Sequence, residues 1–238
     1  MARQIELGEI MVDVVLKEIK NIHLSVYPPS GRVRISAPSR MNLETIRVFA
    51  ISKLAWIRQQ QKKLRAQERE TPRQYSDRES HYLWGRRYLL VVAEAEQAPS
   101  IKLQHRRMVF SVRPGTDETK KRAIFEEWYR EQIKQALPPL LAKWEPLLGV
   151  KVERFFVQRM KTKWGSCNHS ARSIRLNTEL AKKPSGCFEY VLVHELIHLL
   201  EPTHNDRFHA YMDHFVPHWR ISRDELNRAP LGHAQWGY

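Results

Sequence analysis

The sequence has few cysteines and no long hydrophobic segment, and each shortage excludes a class of protein. Its two cysteines, Cys167 and Cys187, form no CxxC or CxxH spacing, which excludes a disulfide framework and a cysteine-based zinc knuckle. No apolar run approaches the roughly 18–20 residues that cross a bilayer. Glu6 and Glu9 interrupt the amino terminus, where a signal peptide needs a continuous apolar stretch. We therefore expect a cytoplasmic protein that does not act at a membrane.

Acidic residues are also scarce relative to basic ones. The 238 residues contain 40 Lys and Arg against 26 Asp and Glu, which gives a formal net charge of +14. The excess is concentrated in residues 58–87, with nine basic and four acidic residues, and in residues 151–175, with seven and one. Such segments attract anionic partners but do not indicate a fold. Two interpretations stay open: a solvated basic surface, or a groove for nucleic acid or an acidic substrate segment.

The distribution of apolar residues predicts an α+β protein with two domains. Patterns typical of strands occur at residues 10–17, 22–27, 32–37, 82–93, 101–112, 152–160 and 173–180. Helical spacing occurs over residues 43–70 after Asn42 as N-cap, over residues 118–136, and from Ser185 as N-cap.

The run Arg113–Asp117 is the best boundary signal, because it combines proline, glycine and polar residues. We expect a β-rich domain with one long helix over residues 1–113 and an α+β domain over residues 114–238. Within the second domain, Pro138 and Pro139 are expected to end the helix that begins near residue 118.

The run CFEYVLVHELIHLLE at residues 187–201 carries the clearest chemical signal. Its apolar residues surround a helix on nearly every side, so this helix should be buried. His194, Glu195 and His198 are three polar residues within this apolar run, and residues four apart on a helix share one face. In this HExxH arrangement two histidines bind zinc and the glutamate is the general base. A hydrogen-bonded structural cluster is the alternative, since buried polar groups need partners.

A catalytic zinc takes three protein ligands and leaves a fourth position for water, so a third ligand is needed. His204 follows His198 by six residues, and a continuous helix would carry it away from the ion. Pro202 is expected to end the helix just before it and to let the chain turn back. Glu201 and Asp206 are the alternatives, either as the third ligand or as carboxylates that orient a ligand histidine.

Three segments resemble the YgjP-like metallopeptidase family: MKTKWGSC at residues 160–167, SIRLNTEL at residues 173–180, and HELIHLLEPTHNDRF from residue 194. This family is related in its active-site region to the SprT-like and Wss-type zincins. The resemblance covers the second half of the chain closely and the first half more weakly. It implies a zincin-like fold for the second domain, with His194, His198 and His204 as zinc ligands and Glu195 as catalytic base.

The segment before the HExxH helix is a candidate substrate-binding region. In zincins the strand that precedes this helix often borders the cleft, where an extended peptide can add by main-chain pairing. Residues 173–178 would then be the substrate-binding edge, with Arg175 and Asn177 on it and Trp164 packing the loop in front. A loop that only supports the helix is the alternative.

These observations predict a metallopeptidase that holds one zinc ion per chain and hydrolyses peptide bonds in a protein or peptide substrate. Glu195 would activate the zinc-bound water and pass its proton to the leaving amine. The alternative is a basic nucleic-acid-associated protein whose structural zinc is closed by a fourth protein ligand. A protease recruited to DNA-bound proteins lies between the two, by analogy with the SprT-like and Wss-type relatives.

Overall fold

The computed structural model describes residues 3–27, 30–66, 73–160 and 163–228, which form two compact units. The first unit comprises the described residues up to 66 and the second those from 73 onward. This division differs from the boundary expected at residues 113–114. Both units combine strands and helices, so the α+β class is confirmed. Within the described residues, no helix has the length and apolar character to cross a lipid bilayer.

The first unit is a four-stranded sheet that packs against two helices. Its strands are β1 (Arg3–Leu7), β2 (Ile10–Lys17), β3 (His23–Tyr27) and β4 (Arg32–Pro38), in the order β1-β2-β4-β3, and its helices are α1 (Leu43–Ser52) and α2 (Leu54–Ala66). Ile46 of α1 and Ile57 of α2 share one core with the buried residues of β2 and β4. Asn42 caps α1 as predicted, because its side chain accepts a hydrogen bond from the Thr45 N–H. The described part of the helix predicted at residues 43–70 is two helices that meet at Lys53; residues 67–70 lie outside the described residues.

The second unit begins with another four-stranded sheet. Its strands are β5 (Ser80–Leu83), β6 (Arg86–Glu94), β7 (Ser100–Gln104) and β8 (Arg107–Val112), in the order β5-β6-β8-β7. The long helix α3 (Glu118–Leu148) packs against it, and the rings of Phe110 and Phe125 lie 5.0 Å apart. This packing explains why these strands belong with the second unit rather than with the first.

Helix α3 continues through Pro138 and Pro139, so the prediction that these prolines end it is wrong. A proline inside a helix costs about 3 kcal/mol, because a hydrogen bond is lost and the ring crowds the preceding turn. Ile133, Leu137 and Trp144 are buried at helical spacing on both sides of the prolines. Burial of this continuous apolar stripe offsets the cost.

A three-stranded sheet and three helices complete the second unit. They are β9 (Arg154–Gln158), β10 (Gly165–Asn168), β11 (Ser173–Asn177), α4 (Ser185–Ile197), α5 (Asp206–Phe215) and α6 (Trp219–Arg228), with a 3₁₀ turn at Thr178–Lys182. The sheet order is β10-β11-β9, so the expectation that residues 173–178 form an edge is wrong. Its central strand, β11, pairs with β10 on one side and with β9 on the other. The edge nearest the HExxH helix is β10, which the sequence analysis treated as a loop.

Candidate metal centre

Helix α4 and its C-cap residue, His198, present two of the predicted ligands on one face. The helix is buried on most sides, and Leu192, Val193 and Leu196 are fully inaccessible to solvent. Its first turn differs from the prediction, because Pro184, not Ser185, occupies the N-cap position. The rings of His194 and His198, one turn apart, have centroids 4.9 Å from each other. The apolar residues on nearly every side therefore bury the helix, while His194 and His198 face a shared space.

The chain after α4 brings a third histidine to the first two. Helix α4 ends at Ile197, and irregular turns follow until α5 begins at Asp206. The His204 ring centre lies 4.9 Å from that of His194 and 4.7 Å from that of His198. One nitrogen from each ring lies within 4.8 Å of the others, and among the described residues these three form the one such group. The expected reversal of the chain near Pro202 is thus present.

The three imidazoles fit a metal ion such as zinc. The Nε2 atoms of His194 and His204 are 3.0 Å apart, close to the separation of about 3.3 Å that two nitrogens have on one tetrahedral zinc. His198 Nδ1 lies 2.9 Å from the Glu201 carbonyl oxygen. Donation of the Nδ1 proton to this carbonyl leaves Nε2 of His198 unprotonated, as a ligand for a metal ion must be.

Burial keeps these histidines neutral, which metal binding requires. Burial, with smaller contributions from the neighbouring imidazoles, lowers the pKa of His194 to about 3. The pKa values of His198 and His204 are also lowered, in both cases mainly by burial. The Nδ1 atom of His194 is buried without a hydrogen-bond partner among the described residues.

The two acidic alternatives to His204 lie elsewhere. Glu201 is buried, and its carboxylate accepts a hydrogen bond from Asn205 at 2.8 Å and pairs with Arg207 at 3.2 Å. Its carbonyl, not its carboxylate, orients His198. Asp206 is exposed at the start of α5, where an acidic side chain favours the helix dipole.

Glu195 lines the same cavity as the histidines. This cavity has a volume of about 460 Å³, and its wall is formed by Lys163, Trp164, Gly165, Ser166, Cys167, His169, Tyr190, Val191, His194, Glu195, His198, Pro202 and His204. The Glu195 side chain is only 6% exposed, and this burial raises its pKa to about 8 although Lys163 acts in the opposite direction. A cation held by the histidines would favour the ionised carboxylate.

Of the three residues predicted to bind substrate, the structure places one in the wall of this cavity. Trp164 lines the cavity, whereas Arg175 and Asn177 do not. Arg175 is exposed with its guanidinium over the Phe156 ring. Asn177 is buried, and its amide donates hydrogen bonds to the carbonyls of Met160 and Lys163.

Strand β10 forms a wall of the cavity with Gly165, Ser166 and Cys167, which was not predicted from the sequence. The WGSC segment drew attention through the family resemblance, but its short polar residues have little strand character. Burial, with a smaller contribution from Glu195, raises the pKa of Cys167 to about 11. The thiol is therefore protonated at neutral pH and is unsuited to act as a nucleophile.

Comparison with known proteins agrees with this geometry. The family model described as YgjP-like, metallopeptidase domain, matches residues 20–229. The chain belongs to the YgjP-like metallopeptidase family. As a member of a metallopeptidase family it is a metal-dependent hydrolase, and the resemblance found from the sequence is confirmed.

No curated protein matches the YgjP-like chain. A solved structure titled as the metallopeptidase zymogen of Pyrococcus abyssi abylysin is 20% identical, covers 37% of this chain and 89% of its own, and has a TM-score of 0.35.

The basic segments of the YgjP-like chain are dispersed. Residues 58–66 belong to the first unit, whereas residues 73–87 belong to the second. In the segment at 151–175, Lys151 pairs with Glu145 at 3.3 Å and Arg159 pairs with Glu126 at 2.7 Å. Part of the charge excess in this segment is therefore compensated by acidic residues of α3.

Proposed function

We propose that this chain is a zinc-dependent peptidase in which His194, His198 and His204 hold the metal and Glu195 is the general base. The observation that carries the proposal is the convergence of three neutral imidazoles within 4.8 Å, in one cavity with a buried carboxylate. The described residues provide three ligands and no fourth. An open position favours a catalytic over a structural zinc site.

The protein's own groups divide the work of peptide hydrolysis. Zinc, when bound, supplies Lewis acidity, which polarises a carbonyl and makes water more acidic. The Glu195 carboxylate would accept a proton from the attacking water and then donate it to the nitrogen of the leaving amine. The Glu201 carbonyl would hold the ring of His198 in the ligating orientation.

Strand β10 is the proposed binding edge for an extended substrate. It lies at the edge of its sheet, and Gly165, Ser166 and Cys167 border the cavity. An unpaired strand edge can add a peptide by main-chain hydrogen bonds. Trp164, adjacent in the chain, is the proposed side-chain contact with this peptide.

The first test is metal content and casein cleavage for the wild type and for Glu195→Gln. We expect about one zinc per chain in both proteins, because the substitution leaves the three imidazoles in place. Cleavage by the variant should fall about 10²–10⁴-fold, the usual contribution of a general base.

Glu189→Gln is the matched control, since Glu189 lies on the same helix and pairs with Lys143 away from the histidines. It should retain both zinc and activity. The proposal fails if the wild type takes up no zinc, or if Glu195→Gln cleaves casein as fast as the wild type.

Nucleic-acid binding is a second candidate function, and a specific surface favours it. A second cavity, of about 670 Å³, is lined by Arg86, Arg87, Tyr88, Leu89, His105 and Arg106. The three arginines of this cavity form no ion pair with any described residue, unlike many other arginines of the chain. Unpaired guanidinium groups beside an aromatic ring are typical of surfaces that bind single strands.

We therefore expect a fluorescent 20-nucleotide oligo-dT to bind, with an affinity that Arg86→Glu/Arg106→Glu lowers at least tenfold. Two lost phosphate contacts should also reduce the slope of log K against log salt by about 1.4. Arg58→Glu/Lys62→Glu changes the net charge equally on α2 and serves as the control. Equal losses in both double variants would indicate non-specific attraction, and equal binding of a poly-Glu peptide would indicate an acidic protein partner instead.

The cytoplasmic location stays a prediction. It is supported by Cys167 and Cys187, which are both free thiols, as is usual in a reducing compartment.

A further inference from the structure

Gly165 makes an unusually close approach to the proposed general base. It is buried in β10, and α4 packs against this strand. A Cβ atom at this position would lie 2.6 Å from Oε1, 2.7 Å from Cγ and 3.0 Å from Cδ of Glu195. Carbon atoms that are not bonded do not approach so closely, so any other residue at position 165 would displace the Glu195 side chain.

The backbone at this position does not itself require glycine. Five glycines of the described residues have left-handed backbone angles, and Gly165 is not among them. It is paired with Leu176 in a regular antiparallel ladder, a conformation in which residues with side chains are more stable than glycine. The contact with Glu195 therefore gives the physical reason for glycine here.

Packing also fixes the position of the Glu195 carboxylate. Among the described residues, no hydrogen bond or ion pair holds the carboxylate oxygens of Glu195, in contrast to the bonded carboxylates of Glu201 and Glu189. The side chain is buried, so its rotamer is set by the surfaces that enclose it. At Gly165 the enclosing surface lies so close to the Glu195 side chain that not even one methyl group fits between them.

We propose that Gly165 is a positioning residue: its missing side chain admits the Glu195 carboxylate to the cavity beside the three histidines. This inference rests on the proposed role of Glu195 as general base. Gly165→Ala would force Glu195 into another rotamer, which leaves the fold and the metal ligands in place but moves the base.

A thermal double-mutant cycle on the metal-free full-length protein tests the contact without any activity. In the protein that retains Glu195, Gly165→Ala should lower Tm by about 2–12 °C, as expected for overpacking by one methyl group. In the Glu195→Ala background the three crowded atoms are gone, and the same substitution should leave Tm unchanged or raise it. Gly186→Ala on α4 is the matched control, because a Cβ there meets no atom within 4 Å. Its effect on Tm should be the same in both backgrounds.

Kinetics then test the functional consequence. We expect Gly165→Ala to bind zinc at the wild-type stoichiometry and to keep KM within about twofold, while kcat falls at least tenfold. Equal Tm effects of Gly165→Ala in both backgrounds, or an unchanged kcat, would overturn the proposal. If the wild type cleaves nothing, the proposed function fails. The Tm cycle still decides, without any activity, whether contact with Glu195 is the reason that position 165 is a glycine.

Discussion

At the scale of single residues, the buried amide of Asn177 shows how the cavity wall is held. Its nitrogen donates to the carbonyls of Met160, at 2.9 Å, and Lys163, at 2.8 Å, and its oxygen accepts from the Glu179 N–H at 3.1 Å. These bonds tie the segment before β10 to the end of β11. Trp164 and Gly165 follow directly in the chain, so Asn177 affects the cavity without lining it.

We therefore expect Asn177→Ala to lower stability as well as activity. Loss of the amide leaves the partly buried main-chain groups that it binds unpaired, which costs about 1–3 kcal/mol and lowers Tm by about 2–12 °C. A substrate contact, by contrast, would raise KM and leave Tm unchanged. Thermal melting and steady-state kinetics of Asn177→Ala, with Arg175→Ala as the exposed control, separate the two roles. An unchanged Tm with a raised KM would restore the role in substrate binding.

At the scale of elements, the secondary structure of strongly periodic segments could be predicted from the sequence. That of short segments, and of segments stabilised by tertiary contacts, could not. The spacing within α4 predicted a buried helix with His194 and His198 on one face, and Pro202 predicted the reversal that brings in His204. These signals are local, because each depends on a few consecutive residues. Strand β10 lacks such a signal, since Gly-Ser-Cys-Asn pairs only because β11 offers a partner.

Long-range packing also explains the differences in helices and domains. The continuation of α3 beyond Pro138 depends on burial of side chains such as Leu137 and Trp144 against other elements. Likewise, the turn-rich run near residue 113 is a loop within the second unit, because β8 on one side of it and α3 on the other share a core. Turn residues mark where a chain bends, but only the contacts of the flanking elements decide whether a domain ends there.

At the scale of the whole molecule, the described residues form two hydrophobic cores. One is built from residues of the first unit, including Val12, Ile35 and Ile46. The other extends from Tyr75 to Leu226 and includes the buried residues of α4. All three histidines that we propose as metal ligands belong to the second unit, so a metal ion should stabilise one core and leave the other unaffected.

Differential scanning calorimetry of the full chain should therefore show two transitions, of which zinc shifts one. A ligand at 100 times its dissociation constant stabilises the folded state by about 2.7 kcal/mol, which corresponds to about 5–10 °C for a unit of this size. His204→Ala should abolish the shift by removing one of three ligands. His169→Ala should preserve it, because His169 lines the cavity but lies outside the metal-binding group. A zinc shift in both transitions, or one that survives His204→Ala, would mean that the metal binds elsewhere or that the two units unfold together.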